Sequence, residues 1–315
     1  MYPVPIKRNP MYDTIKWRLD ISCLSISERD KVTSNLSIYS KTQYEGGYSL
    51  NGSLKDLRIK ITKDWLKGEG SLAKYFLGDN IQTLTRKAAQ QSIERLSEEL
   101  GIDISKANVL RLDLAQNFKT KAPEMEYIKR LGELPRFERL PQSNGVYYKT
   151  KNQVLVFYSK VKELKDKGVY IPERWKHSYI LRYELRLMQR IPNQLNRKTV
   201  LMEDLYQEEF YLQMLILWRT KYNEIKKVKE LLELKPTTST KELEEMFACL
   251  ALQAIGQERA LDMVNSWKRE GLDKKQLYNH RNLIRKLSSL DAITRDSELI
   301  SELDEKIEVS FRYCR

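Results

Sequence analysis

Histidine is scarce in this sequence. The 315 residues contain two, His177 and His280, far apart in the chain, so no His-x-His metal motif exists. Cysteine is scarce as well. Cys23, Cys249 and Cys314 are odd in number and show no CxxC spacing. That excludes a disulfide framework and a Cys-based zinc site, and it fits a reducing compartment. Long apolar runs are missing too. The longest apolar stretch, around Phe210–Trp218, falls far short of the ~20 residues a membrane-spanning helix needs. The opening MYPVPIKRNP has no apolar core, so no secretory signal is expected. Nine prolines and twelve glycines are too few for a collagen-like or low-complexity chain. The expected location is the cytoplasm.

Positive charge is abundant. Lys and Arg number 56 against 43 Asp and Glu, for a net charge of +13. The surplus is segregated. Residues 1–198 hold 37 Lys/Arg and 22 Asp/Glu, whereas 199–315 hold 19 and 21. Solubility does not require such a partition. Binding a phosphate backbone does, because each neutralised phosphate releases counterions. A polyanionic partner, DNA foremost, is therefore expected for the first part.

The two parts also differ in periodicity. In the first, Ile15, Trp17, Leu19 and Ile21 alternate with Lys16, Arg18 and Asp20, and Leu57, Ile59 and Ile61 alternate with Arg58 and Lys60. This is the pattern of half-buried strands. Glycines and Asn-Gly in EGGYSLNGSL suggest hairpin turns. Residues 82–100 have helical spacing and end at Gly101. Strands are expected at 108–115, 153–160 and 179–188, with a short helix at 124–132. The second part reads as helices over 199–221, 241–256 (with Thr240 as N-cap), 257–270, 274–288 and 296–309. The predicted fold is α+β: an N-terminal antiparallel sheet, residues 1–198, with helices on one face, then an all-helical C-terminal domain, residues 199–315.

Three strands carry chemistry. Leu110, Leu112 and Leu114 point away from Arg111 and Asp113. Leu155 and Phe157 point away from Val156, Tyr158 and Lys160. Leu181, Tyr183, Leu185 and Leu187 point away from Arg182, Glu184 and Arg186. If the strands are neighbours, Asp113, Tyr158 and Glu184 share one open face, with Glu163 near the end of its strand. Carboxylates without His or Cys form a hard oxygen site suited to Mg²⁺ or Mn²⁺. A tyrosine hydroxyl beside such a site can attack phosphorus, with Lys160, Arg111, Arg182 and Arg186 as cationic help. The same pattern also suits cross-strand ion pairs on a solvated sheet, with Tyr158 as a packing residue. Pattern alone does not choose between these. Trp65, Tyr75, Tyr147 and Tyr148 are candidates for stacking on bases or for packing. His177 is a loop histidine that a metal or phosphate contact would also suit.

The residues carrying this chemistry fall in four ordered blocks: SLAKYFLGDNI (71–81), RLDLAQNF (111–118), VFYSKVKEL (156–164) and LRYELRL (181–187). Together with WKREGLDKKQL (267–277), they resemble the gene II/X replication initiators of filamentous phages and related plasmids. The resemblance implies rolling-circle initiation. One strand is nicked at an origin through a tyrosine, the freed 3′-OH primes a host polymerase with a host helicase as a further partner, and the strand is later rejoined. It places the nucleophile on Tyr158 with Lys160 beside it, and metal ligands on Asp113, Glu184 and Glu163. Arg111, Arg182, Arg186, Lys162, Arg18 and Lys16 are the expected DNA contacts. Met188 stands where a lysine often follows the fourth block, and there is no His pair to help hold a metal. Two other readings remain: a non-catalytic basic nucleic-acid binder, and a metal nuclease that uses water.

Overall fold

The structure is a computed structural model that describes residues 11–45, 47–81, 84–228, 230–231, 239–288, 294–295 and 297–312. The expectations for residues 1–10, 82–83 and Cys314 lie outside these. In chain order the elements of the first half are β1 (Met11–Asp20), α1 (Ile26–Ser34), β2 (Ser37–Tyr44), β3 (Gly47–Leu54), β4 (Leu57–Thr62), β5 (Trp65–Ser71), α2 (Leu72–Leu77), α3 (Arg86–Leu100), β6 (Asn108–Thr120), α4 (Glu124–Ile128), β7 (Glu138–Gln142), β8 (Gly145–Lys149), β9 (Gln153–Ser159), α5 (Lys160–Asp166), α6 (Glu173–Lys176) and β10 (Tyr179–Leu187). The ten strands form one antiparallel sheet in the order β2-β3-β4-β5-β1-β6-β10-β9-β8-β7. The expected α+β class holds.

Local chemistry sets the element ends. Thr85 caps α3 by accepting a hydrogen bond from the Ala88 amide. Gly101 closes it in the left-handed region at φ 72°, where glycine meets no Cβ penalty. The Asn51-Gly52 pair does not form a turn. It lies inside β3, opposite an irregularity in β2. There a Cβ on Gly52 would come within 2.8 Å of Ile38 Cδ1. The turn that follows is made at Lys55, which takes φ 52°. β6 carries a second surprise. Its register against β1 shifts between Lys16 and Trp17, skipping Leu110. The bulge sends Val109 into the core and leaves Leu110 half-buried, so Leu110 does not share the face of Leu112 and Leu114.

The rest of the chain comprises α7 (Ile191–Gln194), a 3-10 turn (Met202–Tyr206), α8 (Glu208–Asn223), β11 (Glu230–Leu231), α9 (Thr240–Ile255), α10 (Gln257–Ser266), a 3-10 turn (Trp267–Glu270), α11 (Lys274–Ser288), β12 (Thr294–Arg295) and α12 (Glu298–Arg312). The single helix expected over 199–221 is interrupted, because Gln207 is extended at φ −74°, ψ 136°. Ser239, not Thr240, caps α9, and Glu242 completes a capping box.

The chain divides into two compact units, 1–227 with 299–315 and 228–298. The boundary expected at 198/199 thus falls inside the first unit. The physical reason is the greasy face of the sheet. Phe157 stacks on Tyr183 at 4.4 Å, and Tyr183 stacks on Trp218 of α8 at 4.8 Å. Met214, Leu215 and Tyr222 of α8, and Leu303 and Ile307 of α12, join the same core. The sheet cannot bury that face without α8 and α12. A smaller cluster of Ile81, Val161, Leu164, Ile171, Trp175 and Ile180 brings α5 and α6 together with the Ile180 end of β10.

Candidate active site

β6, β10 and β9 are adjacent, and their register builds the site. Arg182 lies opposite Asn117 on one side and Tyr158 on the other. Arg186 lies opposite Asp113, and Glu184 lies between the small residues Ala115 and Val156. Long side chains therefore converge on Glu184 from its own strand and from β9. The Tyr158 hydroxyl donates to Glu184 Oε1 at 2.8 Å, and Arg182 Nε donates to the same oxygen at 2.6 Å. Arg186 donates twice to Oε2, at 2.8 and 2.6 Å. Arg111 grips Asp113 through two bonds of 2.9 and 2.6 Å, and Arg186 Nε stands 3.9 Å from Asp113.

Burial and charge oppose each other here. Asp113 is 2% exposed, and burial pushes its pKa up to about 6 despite Arg111. Burial pushes Glu184 in the same direction. Arg182 and Arg186 more than offset it and hold that carboxyl below the usual range. The Tyr158 phenol is raised well above 10, first by burial and then by the nearby carboxylates, with Arg182 opposing them. The phenol is therefore neutral and hydrogen-bonded to an ionised acceptor.

These groups open into a cleft of about 360 Å³ whose walls include the cations Lys74, Arg111, Lys167 and Arg186. Asp13, Ser71, Asn80 and Asn144 also line it.

Residues 11–209 match the Phage_CRI family, described as the N-terminal part of a phage-type replication-associated protein. The match covers more than half of the chain. The chain belongs to this family. It is the gene II-type initiator family of filamentous phages that the four sequence blocks resemble, and the chain is a replication-associated protein. DNA is the partner that such a role requires. No curated protein matches the chain. Every cleft residue named above lies within the family's span. No helix among the described residues is long and apolar enough to cross a membrane.

The structure brings together Tyr158, Glu184, Asp113, Glu163, Arg111 and Arg186, which the sequence put forward, but in a cleft and not on an open face. Others are placed differently. Lys160 does not continue the strand face. β9 ends at Ser159, whose hydroxyl caps α5, and Lys160 opens that helix, 1% exposed. It donates to Asn80 and Glu163 and does not line the cleft. Arg182 is also 1% exposed and fully engaged. It holds Asp13, Glu184, the Asn80 carbonyl and Asn117, so it positions the site and has no free edge for a phosphate. Lys16 pairs with Glu69, and Arg18 lies over the Trp65 ring at 4.2 Å. Lys162 is exposed on α5. None of these three lines the cleft.

Tyr75 and Tyr148 are buried, with their hydroxyls bonded to Glu99 and to the Leu131 and Gly132 carbonyls, so neither can stack on a base. Of the four candidate aromatics Tyr147 alone lines the cleft, packed beside Val154, Val156, Tyr158 and Met188. His177 is exposed after α6, away from the cleft walls.

Asp13, Ser71 and Asn144 were missed. Nothing in the spacing of Asp13 and Asn144 separates them from ordinary strand and turn residues. Ser71, Lys74 and Asn80 did carry a signal, since all three stand in the first family block.

The three expected metal ligands are hard oxygen donors of the right kind for Mg²⁺ or Mn²⁺. Their arrangement does not fit. Asp113 and Glu184 are neutralised by arginines, and Glu163 is paired with Lys160 and Lys167. Among the described residues, no three His, Cys, Asp or Glu side chains group as a metal set.

Proposed function

We propose that the chain initiates rolling-circle replication by nicking one DNA strand at an origin, with Tyr158 as the nucleophile. The observation that carries this reading is the 2.8 Å hydrogen bond from the Tyr158 hydroxyl to Glu184, in a cleft walled by Arg111 and Arg186. A raised phenol pKa means that no phenolate forms in advance, so proton loss accompanies attack. Before DNA enters, Arg186 keeps Glu184 a weak base. A DNA phosphate competes for Arg111 and Arg186, because guanidinium binds phosphate through paired hydrogen bonds. As Arg186 turns to the phosphate, Glu184 gains proton affinity. The phenol oxygen then bonds to phosphorus, its proton passes to Glu184, and the P–O3′ bond breaks. The 3′-oxygen takes up that proton. Attack by a 3′-OH on the phosphotyrosine reverses the sequence and rejoins the strand. No step is routed through a divalent ion, since the donor set is already neutralised. The freed 3′-OH suits a host polymerase, with a host helicase opening the duplex.

The test is a labelled single-stranded origin oligonucleotide run under SDS and heat. Tyr158→Phe should abolish the resistant adduct while binding persists. Glu184→Gln should slow adduct formation by roughly 10²-fold, the usual worth of a general base. A persistent adduct in Tyr158→Phe removes Tyr158 as nucleophile. A second reading is favoured by the 9% exposure of Tyr158: the phenol only braces Glu184, and the cleft binds phosphate without covalent chemistry. In that case the unmodified protein forms no adduct at all.

A further inference from the structure

The second unit, residues 228–298, holds twelve Lys/Arg and twelve Asp/Glu, so its net charge suggests no polyanion. The helices distribute that charge unequally. α9 carries Glu242, Glu244 and Glu245 against Lys241. α11, KKQLYNHRNLIRKLS, carries Lys274, Lys275, Arg281, Arg285 and Lys286 and no acid. An averaged charge hides a helix of one sign.

α11 is built to present one face. It is joined to the preceding turn by Gly271, Leu272 and Asp273, with Gly271 in the left-handed region at φ 98°. Asp273 caps it, accepting from the Lys275 and Gln276 amides at 2.7 and 2.9 Å. The inner face packs against α9 and α10. Leu277 is buried, His280 meets Trp267 edge-on, Arg281 holds Asn265, and Cys249 donates to the Leu287 carbonyl. At 3.6 residues per turn the opposite arc is Lys274, Lys275, Tyr278, Asn279, Asn282 and Arg285. Tyr278 is 63% exposed, and Lys274, Lys275, Asn279 and Arg285 are exposed with it.

We propose that this arc of α11 is a second nucleic-acid site that lies in the major groove of duplex DNA. Two helical segments joined by a three-residue turn containing glycine match the helix-turn-helix plan. The cations meet phosphates on the groove walls. Asn279 and Asn282 face the groove floor, where an Asn amide pairs with adenine N6 and N7. An acidic protein surface would reward the charge but not two asparagines and a tyrosine on one arc. A role for duplex binding is separate from Tyr158 chemistry and stands or falls apart from it.

The test uses the full chain and a fluorescent 40-bp duplex of random sequence, with anisotropy measured across a salt series. Lys274→Ala/Lys275→Ala/Arg285→Ala should lower the slope of log K against log salt by about two to three, near one per lost phosphate contact. Lys241→Ala on α9 should leave it unchanged, and adduct formation on the single-stranded oligonucleotide should be normal in both. An unchanged slope in the triple variant overturns the proposal. So does an equal loss in Lys241→Ala, which would mark a general charge effect. So would loss of binding to phosphatidylserine vesicles with duplex binding intact, which would mark a membrane surface.

Discussion

Asp113 and Glu184 sit on neighbouring strands of one face, yet their acidities move in opposite directions. Glu184 lies between two guanidiniums, whereas Asp113 has one close partner against nearly complete burial. The consequence for stability can be measured. The Asp113 carboxyl moves from 3.8 to about 6 on folding, so the folded state binds the proton more tightly. The stability contributed in this way is complete below about pH 4 and is lost as pH rises through 6. Asp113→Asn has no such group. The stability of the unmodified protein relative to this variant should therefore fall between pH 4 and 6 in urea titrations. A difference that stays constant over that interval would show that Asp113 does not titrate there. At this scale, period two made the Tyr158, Glu184 and Asp113 alignment legible. It did not show that Arg182 is sealed in, because the segment that covers it, around Asn80, comes from a distant part of the chain.

Elements were legible where a cap or glycine stop agreed with the apolar period, as in α3 and α11. They were misread where long-range pairing overrode local signals. Asn51-Gly52 is a strong turn pair in isolation, but the ladder with β2 and β4 holds it in a strand. The Leu110 bulge is invisible to periodicity, since one inserted residue looks like continued alternation. Close packing of sheet and side chain also fixes Gly68 of β5. A Cβ there would lie 2.3 Å from Trp17, which is fully buried. Gly68→Ala should destabilise the protein by about 1–3 kcal/mol through overpacking, read from chemical denaturation. A stability equal to that of the unmodified protein would mean that Trp17 has room to move.

At the scale of the whole molecule, the sheet's apolar face decides which helices belong to the first unit. Trp218 is fully buried against Tyr183 and Phe118, although it follows the end of the family span at residue 209. Trp218→Ala should cost about 3–5 kcal/mol and weaken adduct formation at temperatures where the variant begins to unfold. Full stability in that variant would make α8 an accessory and not part of the core. The amino-acid order alone was enough for the α+β class, the strands that carry the cleft, the nucleophile candidate and the family, since these depend on local period and short motifs. The membership of α8 and α12 in the first unit, the burial of Lys160 and Arg182, and the pairing of every expected ligand carboxylate with a cation were settled only in three dimensions. Each depends on which distant surfaces must meet to remove apolar area and charge from water, and spacing along a chain carries no record of that.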